Sequence, residues 1–269
     1  MTDAPIASLP MYDWPEVHAA MDRLWAGVAA RCRTAGVTVP DALERRADYQ
    51  GVWTAPGLVL SQTCGYPYVK SLRGKVALVG APVYDAEGCS GPTYRSMMIV
   101  RRDDAVGAVP GLRGRRAVIN GRDSQSGYSA LRAIVAPYAG GGRMFSDVSV
   151  SGSHRASLRA VAEGRADVAT IDAVCWAMAE RHEPAAFAGL RVLALSPVAP
   201  SLPFVTARTR SAEQRAMLRD ALREAIAAQA AYLRKELLLT GVEPIEDAAY
   251  DRIVEIEAES IALGYPEVA

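Results

Sequence analysis

The 269-residue sequence is poor in aromatic side chains, which make up 7% of it, and holds only three phenylalanines, three histidines and four cysteines. It has no surplus of either charge, since 30 Lys and Arg balance 30 Asp and Glu. A nucleic-acid binder carries a basic excess, so no nucleic-acid partner is expected. Any anion site must be local, assembled from a few placed donors. No apolar run approaches the roughly 18 residues of a membrane helix, so the chain is not expected to be membrane-embedded. Met1-Thr2-Asp3-Ala4-Pro5 leads straight into an apolar strand, with no basic segment and apolar core before it. No export signal is therefore visible, and the chain is either cytoplasmic or lacks a signal it once had.

The cysteines form no CxxC pair and none has metal-ligand spacing with a histidine, so no metal is expected. Cys32 and Cys175 lie in amphipathic stretches and read as buried thiols. Cys64 and Cys89 both follow apolar strands in glycine-containing loops, and stand open between free thiols and a disulfide, which needs an oxidising compartment. GxSxG, HExxH, P-loop and GxGxxG motifs are absent. With no nucleophile and no cofactor site in view, an enzyme is not the expectation.

What the sequence does contain is alternation. Short apolar runs at Ile6–Leu9, Gly57–Leu60, Lys75–Gly80 and Ser96–Val100 read as strands. After the charged turn near 101–113 the pattern restarts, with strands at Ala117–Asn120, Phe145–Val150, Asp167–Ile171, Arg191–Leu195 and Phe204–Ala207. Between them lie helical periods. Val17, Met21, Leu24, Trp25 and Val28 share one face, entered through an Asp13–Glu16 capping box around Pro15. Leu131, Ile134 and Val135 share another, ended by Pro137. Leu158, Val161 and Ala162 make a third, stopped at Gly164. Two long helices, about 212–236 and 246–263, finish the chain. The alternation predicts an α/β protein of two lobes, each a mostly parallel sheet flanked by helices. Residues 1–95 and 200–269 form lobe 1 and residues 96–199 lobe 2, with a ligand cleft between them.

Three loops follow strands, carry small hydroxyl residues and open helices, where parallel α/β sheets place ligands. In Asp123-Ser124-Gln125-Ser126-Gly127-Tyr128, helix-start N–H groups and serine hydroxyls suit an oxyanion, though a plain serine cap explains the serines equally. In Ser151-Gly152-Ser153-His154, the histidine is either a donor to an anion or a solvated surface residue. Asp172 is either a helix cap or the acceptor of a proton on a phosphorus oxyanion, repelling fully ionised sulfate. Lobe 1 offers Tyr12, the Ser61-Gln62-Thr63-Cys64-Gly65-Tyr66 loop and, at the lobe crossing, Tyr94.

The run Asn120–Tyr128, and Gly152-Ser153-His154 followed by Val161-Ala162-Glu163-Gly164-Arg165-Ala166-Asp167-Val168-Ala169, resemble in order and spacing the phosphate/phosphonate ABC-transporter substrate-binding proteins of the type II periplasmic-binding-protein fold. The resemblance covers Leu58–Leu195. It implies that Ser124, Ser126, Gly127 and Tyr128 grip a small oxyanion, that His154 donates to it and that Asp172 reads its proton. Tyr12, Ser61, Thr63 and Tyr94 would wall the site from lobe 1. It also implies a periplasmic location, hinge closure on the ligand and an ABC-transporter permease as partner, with no cofactor. The loops around Tyr12 and Ser61–Pro67 depart from the best-known phosphonate binders. Two other classes stay open: a cytoplasmic enzyme on the same fold, of the menaquinone-precursor type, and a ligand sensor.

Overall fold

Runs that are apolar at successive positions, rather than at alternate ones, form strands covered on both faces. Leu58–Gln62 is such a strand, buried at all five residues. The computed structural model describes residues 4–46 and 49–269. Met1–Asp3, where the expected lack of an export signal begins, lie outside the described residues. The chain divides into two compact units. One comprises Met1–Asp85, Ser90–Thr93 and Pro200–Tyr250, and the other Ala86–Cys89, Tyr94–Ala199 and Asp251–Ala269. No helix among the described residues is long and apolar enough to cross a membrane.

The first unit holds a five-stranded sheet in the order Ile6–Ser8, Leu58–Gln62, Phe204–Ala207, Val76–Tyr84, Leu239–Glu243. Only the first pair is parallel, and the other three are antiparallel. Helix His18–Thr34 buries Met21, Leu24, Trp25 and Val28, as their 3.6-residue spacing predicts. The Asp13–Glu16 capping box does not form. A 3₁₀ turn, Pro15–Val17, leads into the helix without a side-chain cap, and Asp13 instead pairs with Arg45 at 2.5 Å. The single helix expected over 212–236 is two, Ala212–Ala227 and Ala230–Leu237. Leu238, at φ 59°, then turns the chain into the strand Leu239–Glu243, which periodicity does not announce.

In the second unit Ser96–Arg101 lies antiparallel between Leu190–Leu195 and Ala169–Asp172. Arg116–Ile119 and Asp147–Val150 form a parallel pair. An Ala117–Val168 bridge and a 3.0 Å hydrogen bond from Val118 N–H to the Val168 carbonyl tie the two groups together. Both sheets are therefore mixed, not mostly parallel. Helical crossovers enforce parallel pairing, but Ser96–Arg101 and Phe204–Ala207 enter their sheets by other routes.

Pro137 does not end its helix, which runs Ala130–Ala139 and stops at Gly140, φ 63°. So near the C-terminus proline forfeits a single N–H bond. The last helix, Asp251–Ala262, belongs to the second unit and packs on Ala130–Ala139, not on the first unit as expected. A buried ion pair accompanies the apolar packing of this C-terminal segment. Arg132 is 2% exposed, and its guanidinium meets Glu257 at 3.4 Å and the Pro266 carbonyl at 2.9 Å. All four cysteines are free thiols, Cys32 and Cys175 fully buried.

Candidate functional site

Three strand ends in the second unit build the site. Arg116–Ile119 is held beside the Ala169–Asp172 strand by Asp167. This carboxylate accepts the Arg116 backbone N–H at 2.9 Å and its guanidinium at 2.8 Å, with Arg101 at 3.4 Å. The Arg116 hydrogen bond, more than the desolvation that opposes it, draws the Asp167 pKa down to about 2. The Asp of the Asp-Val-Ala stretch is thus an anchor that sets the strand from which the first loop departs.

Beyond that strand Ser124 opens a π-helical turn, Gln125–Ser129, which continues into Ala130–Ala139. Such turns are rare and concentrate at functional sites. Ser124 Oγ accepts Gly127 N–H at 3.0 Å, so it does serve as a cap. Asp147–Val150 ends in Ser151 and Gly152, the latter at φ +89°, and Ser153 caps helix His154–Ala162. The two loops meet where Ser126 Oγ and His154 Nε2 lie 2.7 Å apart. Thr170, in the third strand, gives its hydroxyl to the Gly127 carbonyl at 3.0 Å. Side chains two apart on a strand share a face, so Asp172 leaves the strand on the face that Thr170 turns toward Gly127. Asp172 is 1% exposed and accepts Val174 N–H at 2.8 Å and Cys175 N–H at 3.3 Å. Its charge reinforces burial in raising the thiol pKa of Cys89 to about 12 and in holding that of Cys175 well above its ordinary value.

His154 is partly exposed as a residue, but its Nδ1 is closed off from solvent and has no hydrogen-bond partner. Burial lowers its pKa to about 4, the Thr170 backbone only partly opposing this. At neutral pH the ring is uncharged. In the tautomer with the proton on Nε2 it donates to Ser126 Oγ and leaves the Ser126 O–H to point elsewhere. A stability consequence follows. The unfolded chain takes up this proton near pH 6.5, the folded one only near pH 4. The contribution is full above pH 6.5 and is lost as pH falls toward 4, on the order of 3 kcal/mol. Melting curves from pH 7 to 4.5 are expected to fall less steeply for His154→Asn than for the wild type, and parallel slopes refute the assignment.

The structure therefore brings together Ser124, Ser126, Gly127 and His154, with Asp172 on the adjoining strand. Tyr128 is not with them. Its ring lies in the hydrophobic core of this unit, with the Arg132 guanidinium 5.4 Å from its centroid. Tyr94, expected with lobe 1, belongs to the second unit and is 4% exposed. In the first unit Tyr12, of the expected residues, is seen to contact Tyr84. Tyr12 meets the Tyr84 ring edge-on at 5.2 Å, and Gln62 donates to the Tyr84 hydroxyl at 3.3 Å. Ser61 is fully buried and its Oγ has no partner. Thr63 spends its hydroxyl on the Cys64 carbonyl at 3.2 Å.

Sequence reasoning missed Asn120. Its Oδ1 is buried without a partner, and it occupies the space where a Cβ on Gly127 would stand, 1.8 Å from that position. Only its place directly after a strand hinted at this.

Residues 58–250 match the model of a family described as ABC transporter, phosphonate, periplasmic substrate-binding protein. No curated protein matches the sequence. Among solved structures, a binding-protein component of an ABC phosphonate transporter from Pseudomonas aeruginosa is similar at TM-score 0.72 and 18% identity, over 97% of this chain and 88% of that one. A Prochlorococcus marinus protein in complex with methylphosphonate is similar at 0.70 and 14%, over 95% and 98%. A Xanthomonas citri protein bound to ATP is similar at 0.71 and 16%, over 97% and 98%. At these identities the likeness shows the fold, the two-lobed α/β fold of periplasmic binding proteins.

Proposed function

This chain belongs to the phosphonate ABC transporter periplasmic substrate-binding family, and from that premise we propose that it binds a small phosphorus oxyanion, whether phosphate, phosphite or a short phosphonate, and hands it to a membrane permease. The observation that carries the reading is the 2.7 Å contact joining Ser126 of one helix start to His154 of another. Two helix N-termini and a hydroxyl then converge, an arrangement that holds an oxyanion through neutral donors and dipoles. Asp172 supplies the negative charge that accepts a proton from a partly protonated ligand and turns sulfate away. The methylphosphonate complex of the Prochlorococcus marinus relative supports the ligand class. The family's compartment makes the periplasm the proposed place of action.

The test is a thermal-shift panel of phosphate, phosphite, methylphosphonate, aminoethylphosphonate and sulfate. A ligand at about 100 times its Kd adds roughly 2.7 kcal/mol, a rise of about 5 °C or more for a chain of this size. A shift with at least one phosphorus oxyanion and none with sulfate is expected, and Asp172→Asn is expected to let sulfate shift as well. Silence across the panel defeats the proposal and brings the enzyme reading forward. Unchanged selectivity in Asp172→Asn reduces that carboxylate to a helix cap.

A further inference from the structure

The first unit contains a cavity of about 720 Å³ walled by arginine. Five arginines, Arg73, Arg208, Arg210, Arg215 and Arg219, line it together with two acidic residues, Glu246 and Asp247, so its lining residues carry an excess of three positive charges in a chain whose net charge is zero. Asp247 is already engaged. It accepts the Tyr68 hydroxyl and pairs with Arg73 at 3.2 Å. Glu246 is exposed, and water screens it.

The other four arginines have no carboxylate partner among the described residues. Arg219 gives one N–H to the Val79 carbonyl at 3.2 Å, and Arg210 one to the Leu58 carbonyl at 3.5 Å. Each guanidinium carries five donors, so most remain. The Nε atoms of Arg215 and Arg219 are shut off from solvent with no acceptor. Glu213 lies within reach of the Arg215 charge, yet its carboxylate accepts the Ser211 hydroxyl at 2.6 Å.

The cavity is not the site described above. Arg208 and Arg210 follow the C-terminal end of strand Phe204–Ala207, where Ala207 pairs with Val76. Ser61 and Thr63 lie at that strand's other end, where Phe204 pairs with Gln62 and Thr63 N–H reaches the Pro203 carbonyl. The two places are opposite ends of one sheet.

We propose that this arginine-walled cavity is a second anion site, one for a polyphosphate group. Guanidinium forks match phosphate oxygens two at a time, and an excess of three charges suits several linked phosphates better than a single one. The volume is within the range of small-ligand pockets, roughly 300–1,000 Å³. The site stands independently of the oxyanion reading.

The experiment is calorimetric titration of the whole protein with inorganic tripolyphosphate, at about 50 and 300 mM salt. Binding is expected, weaker at high salt, about tenfold or more weaker in Arg208→Gln/Arg215→Gln, and unmoved in Ser126→Ala. A nucleoside triphosphate serves as a second arm. Equal affinity assigns recognition to the polyphosphate group itself, and tighter binding assigns it to that group carried on a larger molecule. No binding of tripolyphosphate, full binding in the double variant, or loss in Ser126→Ala overturns the proposal. Should the double variant fail to fold, the exposed Arg208→Gln alone is titrated against salt, and a slope identical to wild type overturns the proposal equally.

Discussion

Alanine in place of Gly127 is expected to lower affinity for the bound oxyanion at least about 100-fold, close to 2.7 kcal/mol. The argument is one of space. Gly127 is not in the left-handed region, so alanine meets no backbone penalty there. Its methyl group would stand 1.8 Å from Asn120 Oδ1, 2.8 Å from Asn120 Cγ and 3.3 Å from His154 Cε1. Something must move, and each candidate belongs to the site. If the Asn120 carboxamide swings away, it leaves the pocket it fills between two loops. If the π-helical turn backs off, Ser126 loses its 2.7 Å contact with His154. Calorimetry with whichever phosphorus oxyanion gives the largest thermal shift measures the effect. The double variant Asn120→Ala/Gly127→Ala separates the two causes. It is expected to recover stability, because the clash is gone, while affinity stays low, because the Asn120 carboxamide is missing. A Gly127→Ala protein that binds within threefold of wild type removes this loop from the site.

The same loop shows how far the sequence carries. That Ser124, Ser126 and Gly127 stand together at a helix start was legible because a hydroxyl-rich stretch lies between an apolar strand and a helical period, and Ser124 is indeed a cap there. The places of His154 and Asp172, each at a helix start after a strand, were legible by position. What the sequence hid was depth. Nothing in Gly-Ser-His says that the ring is shut off from water, which is what keeps it neutral, and nothing near Gly127 says that Asn120 closes over it. Tyr128 misled for the complementary reason. It follows the loop directly, but the helical turn points it into the core, under Arg132. The strand order of the sheets was illegible for a topological reason. Alternation of strand and helix implies parallel pairing only when each strand returns to the same sheet, and residues Tyr94–Ala199 instead build the second unit. Leu239–Glu243 went unseen because its alternation is brief and follows a helix that breaks only at Leu238, a residue held in an uncommon conformation.

The placement of the last helix was misread from a residue that was in plain view. Arg132 sits on a helix whose neighbours Leu131, Ile134 and Val135 are apolar and buried, and a cation there needs a distant counter-ion. That partner is Glu257, 125 residues on, 13% exposed at its side chain. Removing it as Glu257→Ala leaves a guanidinium out of water with only the Pro266 carbonyl and the face of Tyr128. Stranding one member of a buried ion pair costs about 3–5 kcal/mol, and for a chain of this length the melting midpoint is expected to fall by roughly 10 °C. Hydrogen exchange is expected to place the loss in Asp251–Ala262 and Ala130–Ala139, and not in the sheet of the first unit. Arg132→Met/Glu257→Leu is expected to recover most of the midpoint, since two apolar side chains leave no charge to desolvate. Because Ala130–Ala139 begins one residue past Ser129, loosening it also reaches Ser126 and Gly127, so affinity for the oxyanion is expected to drop in Glu257→Ala and return in the double variant. A Glu257→Ala protein that melts with wild type shows instead that Arg132 draws its stability from the carbonyl alone, and that the helix is held by its apolar face.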